Sequence, residues 1–252
     1  MMNDIIKKSI FFISTVIIVH LIFSGIIRPE ANMIIEAAKN TQSSIPRNFY
    51  IIVKDLEQEI CVILLFWGVI LILEKYLRII NSNYLFNIDL IEKKIESKIM
   101  AEEVMEKLDK QLSLNLRKTP LIESVNLALL RYSQTKNVQN VSDSIKSSLE
   151  MLSTKQDSEN SMIRYLIWAI PSVGFIGTVR GIGLALSNAD QALQGNISLM
   201  TENLGIAFNS TFVALIISLI LMLLFHHLQK LQDENLINIQ KYCEKYLYSK
   251  FT

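Results

Sequence analysis

Two cysteines, three histidines and two tryptophans are all that this chain of 252 residues carries of those types. Cys61 and Cys243 stand 182 positions apart with no cysteine beside either, which excludes a disulfide framework and a cysteine metal knuckle. His20 and the His226-His227 pair lack the His-x-x-x-His or carboxylate-linked spacing of a metal site. No nucleotide-binding glycine loop and no nucleophile elbow occurs, so neither an enzyme nor a cofactor is expected. Charge is scarce as well, at 19 % of residues, and 25 basic against 24 acidic side chains leave a net +1. Such a balance offers no basic field for nucleic acid. Only eight glycines and four prolines interrupt the chain, and four of those glycines lie between Gly174 and Gly183.

Apolar residues make up the other half of the chain, and the mean hydropathy is +0.32. A membrane-crossing helix needs about 20 mostly apolar residues. Residues 9–27 meet that length without a charge. Residues 60–73 form a shorter uncharged run between Glu59 and Glu74, extended in character by 49–53, and read as a second span. Residues 165–189, interrupted only by Arg180, and residues 203–225, with no charge at all, complete a set of four. Lys7 and Lys8 before the first run resemble a signal peptide. The run is too long for a signal core and no small-residue cleavage site follows Ile27, so a retained helix is expected. Lysine and arginine set the orientation. Thirteen lie in residues 74–161, four more follow Phe225, and none lies in 190–202. Both termini and the central segment are therefore expected in the cytoplasm.

The polar stretches read as helix. Ile88, Ile91, Ile95, Ile99, Met105, Leu108 and Leu112 recur at near-helical spacing. Thr119-Pro120 marks a new helix start, and 133–140 reads as a turn. From about Val141 a helix runs into the third span, with no glycine or proline before Pro171. Nothing after Gly205 breaks the last helix before Tyr248, so about 70 Å of helix meets a hydrocarbon core of about 30 Å. The expected fold is all-α and integral to the membrane. It comprises a two-span hairpin (1–82), a cytoplasmic helical region (83–161), a two-span core (162–228) and a cytoplasmic C-terminal helix (229–252).

The last two spans carry stripes of small residues. At 100° per residue, Gly174, Gly177, Thr178, Gly181 and Ala185 share one face, with Pro171 opening the segment and Arg180 off the stripe. Asn203, Ala207, Ser210, Thr211, Ala214 and Ser218 make a matching stripe. Lipid gives no hydrophobic drive between helices, so small residues mark close backbone approach and hydroxyls mark polar partners or water. Either these helices pack tightly within one subunit, or the stripes face a central pore.

The segment Pro171-Ser-Val-Gly-Phe-Ile-Gly-Thr-Val-Arg-Gly-Ile, followed by Leu204-Gly-Ile-Ala-Phe-Asn-Ser-Thr-Phe-Val-Ala-Leu, resembles the MotA/TolQ/ExbB proton-channel family over residues 163–232. Two spans, a large polar segment and two further spans resemble MotA more than the three-span TolQ and ExbB. The resemblance implies a pentameric ring around a single-span partner of the MotB/TolR/ExbD type, with proton flow driving mechanical work on the cell envelope. It favours a pore-facing stripe, with Thr178, Thr211, Ser210 and Asn203 along the ion path. Gly174, Gly177, Gly181, Ala207, Ala214 and Pro171 would pack the helices. Ile206 stands where TolQ and ExbB relatives carry a glutamate, and Asn209 where others carry an aspartate.

A proton-driven machine needs a group that titrates within the membrane. Between Arg164 and Gln232 the only acids are Asp190 and Glu202, at the outer loop, and threonine does not ionise near neutrality. Another chain is therefore expected to supply the carboxylate, which the family resemblance places as an aspartate on the partner's helix. The rival reading is a non-conducting membrane scaffold whose cytoplasmic helices dock other proteins.

Overall fold

The computed structural model describes residues 2–41, 46–91, 94, 95, 97–195 and 197–250, and among these it is helical almost throughout. Helix α1 (Met2–Ile22) passes through a π turn at Phe23–Ile27 into α2 (Arg28–Asn40). Pro29 has no N–H and crowds the carbonyl four residues back, and a widened turn accommodates that. After α3 (Phe49–Val53) comes α4 (Leu56–Ile80), then α5 (Lys98–Gln111), α6 (Leu114–Arg117) and α7 (Pro120–Thr135). The 50-residue α8 (Val138–Ser187), the short α9 (Ala189–Leu193) and the 45-residue α10 (Ser198–Tyr242) complete the order. Four helical stretches, Lys8–Ala38, Leu56–Asn87, Val138–Ser187 and Ser198–Lys250, are long and apolar enough to cross a membrane.

The second span differs from the expectation. Phe49–Val53 is a separate helix, broken from α4 at Lys54 and Asp55, and α4 starts at Leu56 rather than at the first uncharged residue. It takes in Glu57 and Glu59, both buried, because each carboxylate finds a counter-ion inside the fold.

The chain divides into two compact units, one of Met1–Ile72 with Met162–Phe225, the other of Leu73–Ser161 with His226–Thr252. The first unit wears its apolar side chains outward. Phe11, Ile17, Leu21, Phe175, Ile176 and Phe212 are all exposed, while Glu57, Gln58, Glu59, Ser210 and Ser218 are buried. Polar groups facing the bundle interior and large apolar groups facing out is the arrangement a lipid solvent imposes.

The second unit has an apolar core of Leu85, Ile91, Ile95, Leu108, Ile122, Leu129, Ile145, Ile239 and Leu247. Here too an expectation is corrected. Ile88, Ile91 and Ile95 are not on a helix: a 3-10 turn at Asn83–Asn87 ends at Ile88, whose backbone is extended, and none of the described residues from there to Ser97 is helical. That stretch is held by long-range bonds. Ile95 N–H donates to Lys250 O at 2.7 Å, Leu90 N–H donates to the Tyr242 hydroxyl at 2.9 Å, and that hydroxyl donates to Ile88 O at 3.0 Å. The Thr119-Pro120 start is as expected, with Pro120 in the first turn of α7. The turn expected over 133–140 shrinks to Lys136, at φ +51°, and Asn137, whose side chain accepts from Gln139 N–H at 2.8 Å to open α8. Deep in this unit Asn160 Nδ2 donates to Gln232 Oε1 at 2.7 Å, joining α8 to α10 through two buried amides.

Candidate functional site

The glycine stripe brings α8 and α10 together backbone to backbone within one chain. Gly174, Gly177 and Gly181 face Ala214, Ser210 and Ala207 in turn. A Cβ on Gly177 would stand 2.5 Å from Ser210 Cβ, and one on Gly181 2.7 Å from Ala207 N, where carbon contacts settle near 3.5–4.0 Å.

This closeness is what lets the two threonines meet. The Thr178 and Thr211 hydroxyls hydrogen-bond to each other across the helix pair. Thr178 Oγ1 also lies 3.0 Å from Ala207 O, and Thr211 Oγ1 lies 3.3 Å from Gly174 O. Each hydroxyl has one proton to give. The pair can therefore point in either of two directions. Thr178 can donate to Thr211 while Thr211 donates to Gly174 O, or Thr211 can donate to Thr178 while Thr178 donates to Ala207 O or, at 3.4 Å, to Gly174 O. Passing between them requires only hydroxyl rotation, which reverses the direction of the pair; carrying a proton through it would further need a donor at one end and an acceptor at the other, because a backbone carbonyl supplies neither. Both threonines are half-buried, whereas Ser210 is 1 % exposed. Asn203, one turn before Ala207, is half-buried and takes no part in the hydrogen bonds of the threonine pair.

Pro171 plays a part beyond marking the segment. Lacking an N–H, it leaves the carbonyl of Ile167 without its helical donor. Ser218 Oγ on α10 donates to that carbonyl at 2.9 Å, and is itself buried. A stripe residue chosen for size thus doubles as a backbone partner.

The sequence reading missed a cluster of charged and polar residues from the first half of the chain. Glu57 and Glu59 lie two apart on α4 and so project to different sides. Glu57 Oε2 accepts from Arg180 Nη2 at 2.8 Å. Glu59 accepts from Arg28 and lies 2.7 Å from His20 Nδ1. Between them Gln58, fully buried, donates from Nε2 to Ile52 O at 3.1 Å and to Ser210 Oγ at 3.4 Å. Its Oε1 is buried with no hydrogen-bond partner among the described residues. Just ahead of α4, burial pushes the Asp55 carboxyl above its ordinary value, against the opposing pull of Lys54 and Arg180. The only acids between Arg164 and Gln232 are still Asp190 and Glu202, but α4 brings one from outside that stretch: Glu57 reaches the Gly177–Ser210 crossing, whose residues are next in sequence to Thr178 and Thr211. The one signal in sequence was a pair of carboxylates opening an apolar run, which reads more simply as the end of a span.

With this geometry in place, residues 89–241 match the model of the MotA/TolQ/ExbB proton channel family. The chain belongs to that family. No curated protein and no solved structure matches it. The match takes in α5 to α8 and nearly all of α10, including the threonine pair, the glycine stripe and Pro171. It leaves α4's first turn, with Glu57, Gln58 and Glu59, outside the matched residues. A multi-pass membrane protein of proton-channel type accounts for the four apolar helices and for the polar groups they enclose.

Proposed function

We propose that this chain is the ring-forming subunit of a proton-driven motor in a bacterial inner membrane. Five copies would surround a single-span partner of the MotB/TolR/ExbD type, with proton passage along Thr178, Thr211, Ser210 and Asn203 coupled to mechanical work on the cell envelope. Both termini and the polar helices of 83–161 and 229–252 would lie in the cytoplasm, where most of the lysines and arginines fall. The observation that carries the reading is the reversible hydroxyl chain of Thr178 and Thr211, set between two helices of the matched family segment. The partner's contribution follows from charge. The carboxylates of Glu57 and Glu59 each already face a guanidinium, that of Arg180 and that of Arg28, while Asp55, whose Oδ2 is buried with no hydrogen-bond partner among the described residues, lies ahead of the span. A carboxylate free to take up and release a proton is what a second chain would add, and Arg-bound acids do not replace it. Since the glycine face of α8 and the Ala207, Ser210 and Ala214 face of α10 are used within the chain, the ring would form through outward apolar residues such as Phe175, Ile176, Phe208 and Phe212.

The test is proton flux. Full-length protein, purified from its native membrane so that bound partners accompany it, is reconstituted into dye-loaded liposomes. Thr178→Ala and Thr211→Ala should keep the oligomer seen by native mass spectrometry and lose most of the flux, because each removes a hydroxyl from a face already lined by small residues. Full flux in both variants, or a monodisperse monomer in mild detergent, would contradict the proposal. A silent wild type whose polar helices capture other proteins would favour a scaffold instead.

A further inference from the structure

Among the described residues three buried side-chain oxygens have no hydrogen-bond partner, and two of them, Asp55 Oδ2 and Gln58 Oε1, fall three positions apart where α4 begins. Gln58 is fully buried. The other half of its amide fixes which way the group points. Nε2 donates to Ile52 O at 3.1 Å, which only the nitrogen can do, so the oxygen is the atom left over. Nε2 also approaches Ser210 Oγ at a long 3.4 Å, and Ser210 is 1 % exposed. A serine hydroxyl that accepts there keeps its own proton to give. A buried carbonyl oxygen without a donor costs the desolvation of that group, so folded interiors supply such atoms with a protein group or an ordered water.

Whatever meets this need has to be small. With both side chains enclosed, no residue of a second chain reaches Oε1. A bare cation suits the place less well than a water. The Ser210 proton asks for an acceptor, and Lys54, Arg180 and Arg28 already oppose the charge of Asp55 at this turn. The reach is also that of one water. Oxygen and nitrogen of an amide lie about 2.2 Å apart, so Oε1 is less than about 6 Å from Ser210 Oγ. The two do not bond directly, and a pair of hydrogen bonds through one water spans up to about 6 Å. We propose that Gln58 and Ser210 hold a buried water between α4 and α10, with Ser210 Oγ donating to the water and the water donating to Gln58 Oε1. Ile52 O, which has a second lone pair, offers the third contact that such waters commonly make. Lipid gives no hydrophobic drive between helices, so a shared water helps to hold α4 against α10 beside the Gly177–Ser210 contact. The proposal stands apart from the proton-path reading.

The experiment is electron cryomicroscopy of the same native-source full-length protein, at a resolution that shows ordered water. Two wild-type maps, one in sodium and one in potassium buffer, are compared with a map of Ser210→Ala. The wild type should show a peak about 2.6–3.2 Å from both Gln58 Oε1 and Ser210 Oγ, unchanged between the two salts. Ser210→Ala removes the donor and should lose the peak, since a buried water needs at least two polar partners. A wild-type map without the peak, or with Oε1 meeting a protein donor, would overturn the proposal. A peak nearer than about 2.6 Å to several oxygens, or present in one salt alone, would assign a metal ion and overturn it as well. Survival of the peak in Ser210→Ala would remove Ser210 from the site and sink the bridge between helices. Should Ser210→Ala not assemble, the two wild-type maps decide. Flux plays no part in these outcomes, so a silent wild type would defeat the proton-path reading and leave this one standing.

Discussion

Adding one methyl group at Gly181 and one at Gly183 should move stability in opposite directions. The Gly181 Cβ would lie 2.7 Å from Ala207 N and 2.8 Å from both Ala207 Cα and Cβ. Two of those atoms are backbone, so no rotamer relieves the clash and α10 must back away from α8 by about 1 Å to restore ordinary contact. Overpacking of that kind costs about 1–3 kcal/mol, and contact with backbone places it in the upper part of that range. Alanine recovers about 0.8–1.0 kcal/mol of helix propensity, leaving Gly181→Ala destabilising by about 1–2 kcal/mol. At Gly183 nothing lies within 4 Å, so Gly183→Ala keeps the propensity gain and stabilises by up to about 1 kcal/mol. The expected gap between the variants is thus about 2–3 kcal/mol. Equilibrium unfolding in mixed micelles, followed by helical circular dichroism as dodecyl sulfate is titrated in, measures it. The same 1 Å displacement would stretch the 3.0 Å approach of Thr178 Oγ1 to Ala207 O beyond hydrogen-bonding range. Gly181→Ala should therefore also lose proton flux. Equal stability of the two variants would refute the backbone contact between α8 and α10.

Ser218→Ala should cost about 1–3 kcal/mol in the same titration, because it strands the Ile167 carbonyl that Pro171 leaves free. Adding Pro171→Ala should recover most of that loss by restoring an N–H to the helix; strictly additive losses would show that the serine and the proline are not linked. In the second unit, Tyr242→Phe should cost about 2 kcal/mol, since one hydroxyl serves both Leu90 N–H and Ile88 O. Hydrogen exchange should then rise over 88–91, and unchanged protection there would refute the assignment.

The four spans were legible because a bilayer imposes a length and a solvent on the sequence. Runs such as 203–225 announce themselves without knowledge of any neighbour. Local chemistry made the α7 start legible too, through Thr119 and Pro120. The non-helical residues after Asn87 were not. Ile88, Ile91, Ile95 and Ile99 repeat as helical residues do, yet Lys250 O and the Tyr242 hydroxyl, more than 150 positions away, bond the backbone at 88, 90 and 95, and Asp89 Oδ1 accepts from Ile91 N–H nearby. Buried isoleucines such as Ile91 and Ile95 suit either conformation, and the long-range bonds lie outside any sequence window.

Glu57 and Glu59 were hidden for a related reason. A hydropathy reading counts each carboxylate as a cost and ends the span there, yet the cost depends on the counter-ion. Arg180 lies 123 positions from Glu57, and Arg28 lies 31 from Glu59, so neither pairing leaves a local trace. Their discovery changes what the apparent lack of an acid means. A carboxylate held against a guanidinium fixes the charge of its surroundings. It does not readily lend itself to proton uptake, because protonating it would remove the counter-ion of the guanidinium beside it. The two kinds of polar group in the first unit therefore do different work. The ion pairs make the first turn of α4 electrically balanced where it meets Gly177 and Ser210, and the threonine hydroxyls, which carry no charge to balance, keep protons whose direction can reverse. Under the proposed function, such a division leaves the titrating acid to a second chain and gives this chain a neutral place to receive it.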